Sequence, residues 1–79
     1  MKVRWSEIAV ASAARFIDDQ DSMRAINAAV GGLAADPEPP EAFVRGTYRR
    51  LRVGDYRVLY SVEGDLVTVV RVDRVSSAR

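Results

Sequence analysis

Tyr48-Arg49-Arg50-Leu51-Arg52-Val53-Gly54-Asp55-Tyr56-Arg57-Val58-Leu59-Tyr60 is the stretch whose reading decides the fold. It alternates with period two on either side of Gly54-Asp55, which reads as two β-strands joined by a tight turn. Alternation also sorts the faces. Tyr48, Arg50 and Arg52 share one face of the first strand, and Leu51 and Val53 take the other. In the second strand Tyr56, Val58, Tyr60 and Val62 share a face, with Arg57 and Leu59 opposite. The apolar sets belong under a covering layer, which leaves Tyr48, Arg50, Arg52 and Arg57 together on an open face. Guanidinium groups held by strands are planar, permanently charged forks suited to phosphate. A merely solvated strand face would show the same pattern.

Working outward, Met1, Val3 and Trp5 alternate with Lys2 and Arg4, a short first strand. Ser6-Glu7 is a helix start with an acid in the first turn. Ile8, Ala11, Ala14 or Arg15, and Ile17 then recur at helical spacing through about Gln20. Asp21-Ser22 starts a second helix, whose buried stripe is Met23, Ile26, Ala29 or Val30, and Leu33. Gly31-Gly32 within it marks either close packing or an early end. Asp36-Pro37-Glu38-Pro39-Pro40 is a stop and a stiff linker, with Phe43 expected to pin it. Strands follow at about 47–53, 55–62 and 66–74, with turns at Gly54-Asp55 and Glu63-Gly64-Asp65. The order β-α-α-β-β-β predicts an α+β fold: a small antiparallel sheet with a helical hairpin packed on one face. Leu51, Val58, Tyr60, Val69 and Ile26 are the expected core, joined by Tyr56, Trp5 and Phe16.

Composition bounds the chemistry. Residues 1–79 form a single domain near the lower size limit for a self-sufficient core. With no cysteine and no histidine there is no disulfide, no thiolate or imidazole metal site and no histidine acid or base. Neither a metal nor a cofactor is implied. No segment is apolar for long enough to span a membrane, so no membrane contact is expected and a cytoplasmic location is. The formal net charge of +1 hides an asymmetry. Residues 1–46 carry five basic and seven acidic side chains, and residues 47–79 carry seven arginines against four acids. The sheet half is therefore the anion-facing half.

The segment Arg50-Leu51-Arg52-Val53-Gly54-Asp55-Tyr56-Arg57-Val58-Leu59-Tyr60, with the valine-rich stretch Leu66 to Arg74, resembles the signature of the RelE/ParE toxin superfamily of bacterial toxin–antitoxin systems. Element order and length match over the whole chain. For RelE-like members the resemblance implies a ribosome-dependent, metal-independent endoribonuclease, an mRNA interferase that blocks translation. In that reaction a ribose 2′-hydroxyl attacks the adjacent phosphate. It needs a proton acceptor, cations around the phosphorane and an acid for the leaving oxygen.

By motif register the resemblance puts Arg50 at a catalytic basic position, Arg57 at the phosphate-binding arginine and Arg74 at the arginine closing the last strand. Arg52 is auxiliary, and Arg49 joins Arg52 and Arg57 as an RNA-contacting residue. The family's histidine is replaced near Asp73, and its terminal tyrosine near Ala78 or Arg79. Tyr48 and Asp73 are then the local candidates for proton transfer. A ParE-like toxin is the alternative: the same fold, acting by poisoning DNA gyrase without nuclease activity. A decayed toxin that keeps only antitoxin binding is a third reading. The resemblance also implies a cognate acidic, RelB-like antitoxin held in a hetero-oligomer, with the ribosome and mRNA, or gyrase, as the target.

Overall fold

The computed structural model describes residues 1–75. The chain runs β1 (Lys2–Trp5), α1 (Glu7–Ala14), α2 (Gln20–Gly32), β2 (Phe43–Arg45), β3 (Tyr48–Val53), β4 (Tyr56–Glu63) and β5 (Leu66–Arg74). The sheet order is β1-β5-β4-β3-β2, with both helices on one face. Three successive hairpins join β2 to β5 through two-residue connections that each contain a glycine. Gly46, Gly54 and Gly64 take φ of 64°, 58° and 62°, a region that L side chains avoid.

Three expectations of the architecture change. The sheet is mixed, because β1 pairs in parallel with β5 (Lys2 with Leu66, Trp5 with Val69) while the other pairs are antiparallel. The hairpin meander carries β5 back beside β1, running in the same direction. Phe43 does not pin the linker; it opens the edge strand β2, so four strands follow the helices. The linker is instead held from the sheet, where the Tyr60 hydroxyl donates to the Pro37 carbonyl at 2.9 Å and Arg49 Nη2 pairs with Glu38 at 2.7 Å.

The helices also differ from the periodic reading. α1 stops at Ala14, short of Gln20, and the next helix is capped by Asp19, whose carboxylate accepts from the Ser22 N–H at 3.2 Å. The face of α1 is inverted. Ala9 and Ser12 are buried and Ala13 and Phe16 pack against the core, while Ile8 and Ile17 are 63% and 59% exposed. Small residues let α1 sit close on β5, and its larger apolar residues point away. α2 buries Ile26, Val30 and Leu33 as its stripe predicts. Gly31 and Gly32 meet nothing within 4 Å, so the pair ends the helix and provides no close contact.

β5 carries a bulge. Leu59 faces Arg71 and Tyr60 faces Val69, which leaves Val70 as an extra residue. Two serines stabilise it, one within α1 and one at its N-cap. Ser12 Oγ, buried, accepts from the Val72 N–H at 2.9 Å and donates to the Ala9 carbonyl at 2.9 Å. Ser6 Oγ caps α1 by accepting from the Ala9 N–H and donates to the Val70 carbonyl at 3.1 Å. The bulge reverses the alternation downstream, so Val72 joins Val67 and Val69 in the core.

The core is Tyr56, Val58, Tyr60, Leu51, Val67, Val69 and Val72 from the sheet, closed by Ala9, Ile26, Val30 and Leu33. Ile26→Ala and Val58→Ala should each lower unfolding free energy by about 1–4 kcal/mol, while Ile17→Ala stays under about 0.5 kcal/mol, as read from urea titrations. A large loss at Ile17 would put that part of the α1–α2 connection against the core instead. Ser12→Ala orphans the Val72 N–H and should cost about 1–3 kcal/mol. A neutral Ser12→Ala would show that the serine does not hold the bulge.

Candidate anion-binding face

The open face of the sheet is built by register. Arg52 lies opposite Arg57, Arg50 opposite Leu59, Tyr48 opposite Ser61, Phe43 opposite Arg50 and Arg45 opposite Tyr48. At the other edge Lys2 and Arg4 lie beside Leu66 and Thr68 on the same side. Seven cationic side chains thus share one face: Lys2, Arg4, Arg45, Arg50, Arg52, Arg57 and Arg71. Glu63 is a carboxylate on that face, and Asp73 is neutralised by Arg71 at 2.9 Å. The first three of those cations and the aromatic Phe43 were not singled out by the hairpin alone. The signal was present in Phe43-Val44-Arg45-Gly46, an alternating triplet closed by a turn glycine.

Individual geometries differ. The Arg50 guanidinium lies over the Phe43 ring, 4.7 Å from its centroid. Arg45, Tyr48, Arg50, Leu59 and Val70 line a shallow groove of about 470 Å³ beside them. Arg52 Nε donates to the Gly54 carbonyl at 2.6 Å, which draws it toward the turn. Arg57 is exposed and forms no ion pair among the described residues. Opposed like charges such as Arg52 and Arg57 destabilise a sheet. An anion over the pair would convert that repulsion into binding.

Two of the expected site residues lie on the other layer. Arg49 pairs across the ladder with Tyr60, points to the helix side, and is committed to Glu38 with a side chain only 14% exposed. Arg74 pairs with Tyr56, also on the helix side, because the bulge shifted its parity. It borders a shallow pocket with Arg15, Phe16, Asp18, Asp19 and Tyr56. Arg74 is therefore separated by the sheet from Arg50 and Arg57. The proton-transfer candidates are also apart. Their β4 partners, Ser61 for Tyr48 and Arg57 for Asp73, lie four residues apart, about 13 Å along the strand. Ala78 and Arg79 lie outside the described residues. No group of three or more potential metal ligands occurs among the described residues.

Residues 3–78 match the family model described as the ParE toxin of the type II toxin–antitoxin system parDE. The chain belongs to the ParE toxin family. It is thereby a type II toxin–antitoxin toxin of the wider ParE/RelE superfamily. A chain of the chromosomal ParDE system of Pseudomonas aeruginosa, 19% identical, superposes with a TM-score of 0.77 over 96% of this chain and 97% of that one. A metal-bound toxin from Helicobacter pylori, 15% identical, gives 0.74 over 94% and 93%. The RelBE2 toxin–antitoxin complex of Mycobacterium tuberculosis gives 0.61 at 23% identity, over 92% and 88%. At such identities these structures show a shared fold. No curated protein sequence matches this ParE-family chain. No helix among its described residues is long and apolar enough to cross a membrane.

Behind the sheet, Asp19 links the interhelical turn to β4. Its Oδ2 accepts from the Tyr56 hydroxyl at 3.0 Å, and the Tyr56 ring packs edge-on against Phe16 at 5.1 Å. Hydrogen bonds from Ser22 and then from Tyr56 hold the Asp19 carboxyl below its ordinary 3.8. Loss of solvent, then the bond to Asp19, raises the Tyr56 phenol above its ordinary 10.0. A depressed acid stabilises the fold above its unfolded-state value and loses that contribution as pH falls through the folded value. Asp19→Asn retains a capping side chain but cannot ionise. The stability gap between wild type and Asp19→Asn should be full at neutral pH and close as urea titrations move below pH 3.8. The raised phenol has the opposite sign: its contribution is complete below pH 10.0, is lost above it, and disappears in Tyr56→Phe.

Proposed function

We propose that this chain is a ParE-like toxin that inhibits growth by binding and poisoning DNA gyrase, and that its arginine face is the surface that engages the target. The separation of Tyr48 from Asp73 carries this reading. Cleavage of RNA needs an acid and a base on opposite sides of one phosphorus. Here the two candidates stand about 13 Å apart along β4, and Asp73 is held by Arg71. Arg74, the third guanidinium of the expected nuclease set, lies on the opposite layer. What remains on the open face is a set of cations suited to holding an anion without proton transfer. The ParE family match supports the same direction.

The ribonuclease reading draws on the common fold and on Arg50 and Arg57 sharing a face. An antitoxin partner belongs to the proposal as well. The neighbouring structures include a ParDE system and a RelBE2 complex. In this chain the apolar residues exposed along the two flanks of α1 and just past its end, Ile8 on one side and Val10 with Ile17 on the other, suit an amphipathic acidic segment that folds on binding.

The deciding experiment incubates the purified chain with gyrase and supercoiled DNA, and separately with a translating extract and a reporter mRNA. Accumulated gyrase–DNA cleavage complexes with intact mRNA are expected. Codon-phased mRNA cuts with unaffected gyrase would replace the proposal by the ribonuclease reading. At matched expression, Arg57→Ala should abolish growth inhibition while changing stability by under about 0.5 kcal/mol. Arg57→Lys should recover it only in part, because an ammonium lacks the bidentate fork. Arg24→Ala, on the exposed side of α2, should remain as toxic as wild type.

A further inference from the structure

The structure assigns a small-molecule site to the helix side of the sheet, in the pocket between the α1–α2 connection and the paired ends of β4 and β5, and the ligand class it fits is a free aromatic α-amino acid. The pocket lies on the layer opposite the arginine face, and the assignment does not rest on the gyrase reading. Arg15, Phe16, Asp18, Asp19, Tyr56 and Arg74 surround about 440 Å³ there. Small-molecule sites run from about 300 to 1,000 Å³ and combine an apolar wall with a few converging polar groups. Here the wall is the Phe16 ring, set edge-on to the Tyr56 ring at 5.1 Å. The polar groups come from two directions. Arg15, Asp18 and Asp19 belong to the connection between the helices, and Arg74 stands opposite Tyr56 in the β4–β5 ladder, on the same side of the sheet.

The charges supply the second half of the argument. Two guanidiniums and two carboxylates line one pocket, yet among the described residues no ion pair joins them. Opposite charges that do not close on each other leave both signs available to a ligand. The Arg15 guanidinium lies over the Phe16 ring, 5.1 Å from its centroid, which sets it at the apolar wall. Asp19 keeps capacity to accept, because a carboxylate offers about four lone-pair sites. The Ser22 N–H occupies one of its oxygens and the Tyr56 hydroxyl the other, each with a single bond. The Tyr56 oxygen, which donates its proton to Asp19, can itself accept. A ligand carboxylate therefore suits Arg15 and Arg74, a ligand ammonium suits Asp18, Asp19 and the Tyr56 oxygen, and a ring suits Phe16. An aromatic amino acid carries all three within a few bonds. Net charge narrows the class further. Arg15 and Arg74 offset Asp18 and Asp19, so a polyanion gains nothing here, whereas a molecule with separated charges of both signs is matched at each end. The end of a peptide chain carries only one of the two charges.

The test is a titration of the full isotope-labelled chain, followed through its backbone amide resonances. The probes are L-phenylalanine, phenylalaninamide, which lacks the carboxylate, 3-phenylpropionate, which lacks the ammonium, and glycine, which lacks the ring. Phenylalanine should shift the amides of Arg15, Phe16, Asp18, Asp19, Tyr56 and Arg74. It should bind at least about tenfold more tightly than the amide or the phenylpropionate, the fold-change carried by one hydrogen bond to a charged group. Glycine should bind more weakly than phenylalanine. These comparisons use the wild-type protein and need no variant to fold. Arg74→Gln, at an exposed position, should erase the preference over the amide and leave the preference over phenylpropionate. Asp18→Asn, also exposed, should do the reverse, reducing only the preference over phenylpropionate. Circular dichroism checks that both variants fold. Equal affinity for phenylalanine and either singly charged analogue, resonance shifts confined to other residues, or no binding of phenylalanine overturns the assignment. So does an unchanged order of preference in both variants. The gyrase assay is read independently, so either result can fail without the other.

Discussion

The bonds from Ser12 and Ser6 to the backbone of β5 are the constraint on which the two faces of this sheet depend. An extra residue in a strand leaves backbone groups without ladder partners, and a buried N–H without an acceptor costs about 1–3 kcal/mol. Ser12 supplies the acceptor for the Val72 N–H and Ser6 the donor for the Val70 carbonyl. The bulge in turn sets the parity of everything downstream. It sends Val72 into the core and Arg74 to the helix layer, and it leaves Asp73 opposite Arg57. The composition of the arginine face is thus decided partly by hydroxyl groups on a helix behind it.

That arrangement accounts for the unusual helix α1. To bring Ser12 within hydrogen-bonding distance of β5, the helix must approach closely, and Ala9 and Ala13 permit it. The bulkier Ile8 and Val10 are then forced to its two flanks, and Ile17, just past its end, is exposed as well. A helix apolar on every side is ordinarily covered on every side. In this protein the outer side lies open, which agrees with a partner folding over it. α2 follows the ordinary rule, with a single stripe buried and charged residues outside.

Charge is sorted by layer. The helices and linker hold most of the carboxylates, and Glu38 draws Arg49 to that side. The open face collects cations from all five strands, elements far apart in sequence. Keeping Arg52 opposite Arg57 works against the sheet. The cost is limited because both project toward water and Arg52 is turned to the Gly54 carbonyl. Such a pair is stabilised by an anion, which gives this face a physical reason to bind one.

What the sequence determined by itself was local. Two-residue turns containing glycine, strict alternation in β3 and β4, and the stripe of α2 follow from backbone sterics and from side-chain period alone. They place Tyr56, Val58, Tyr60, Leu51 and Ile26 inside and Arg50, Arg52 and Arg57 outside. Three matters were decided only by tertiary structure. The bulge at Val70 has no signature in a run of valines, because its backbone groups are satisfied by serines about sixty positions away. The buried side of α1 followed the closeness of its approach to the sheet, which favours small residues over large apolar ones. The position of β2 at the sheet edge, and with it the stacking of Phe43 on Arg50, required β3 as a template. Periodicity registers neither distant hydrogen-bond partners nor the distance between layers, and the reach of Arg74 and Arg49 depended on both.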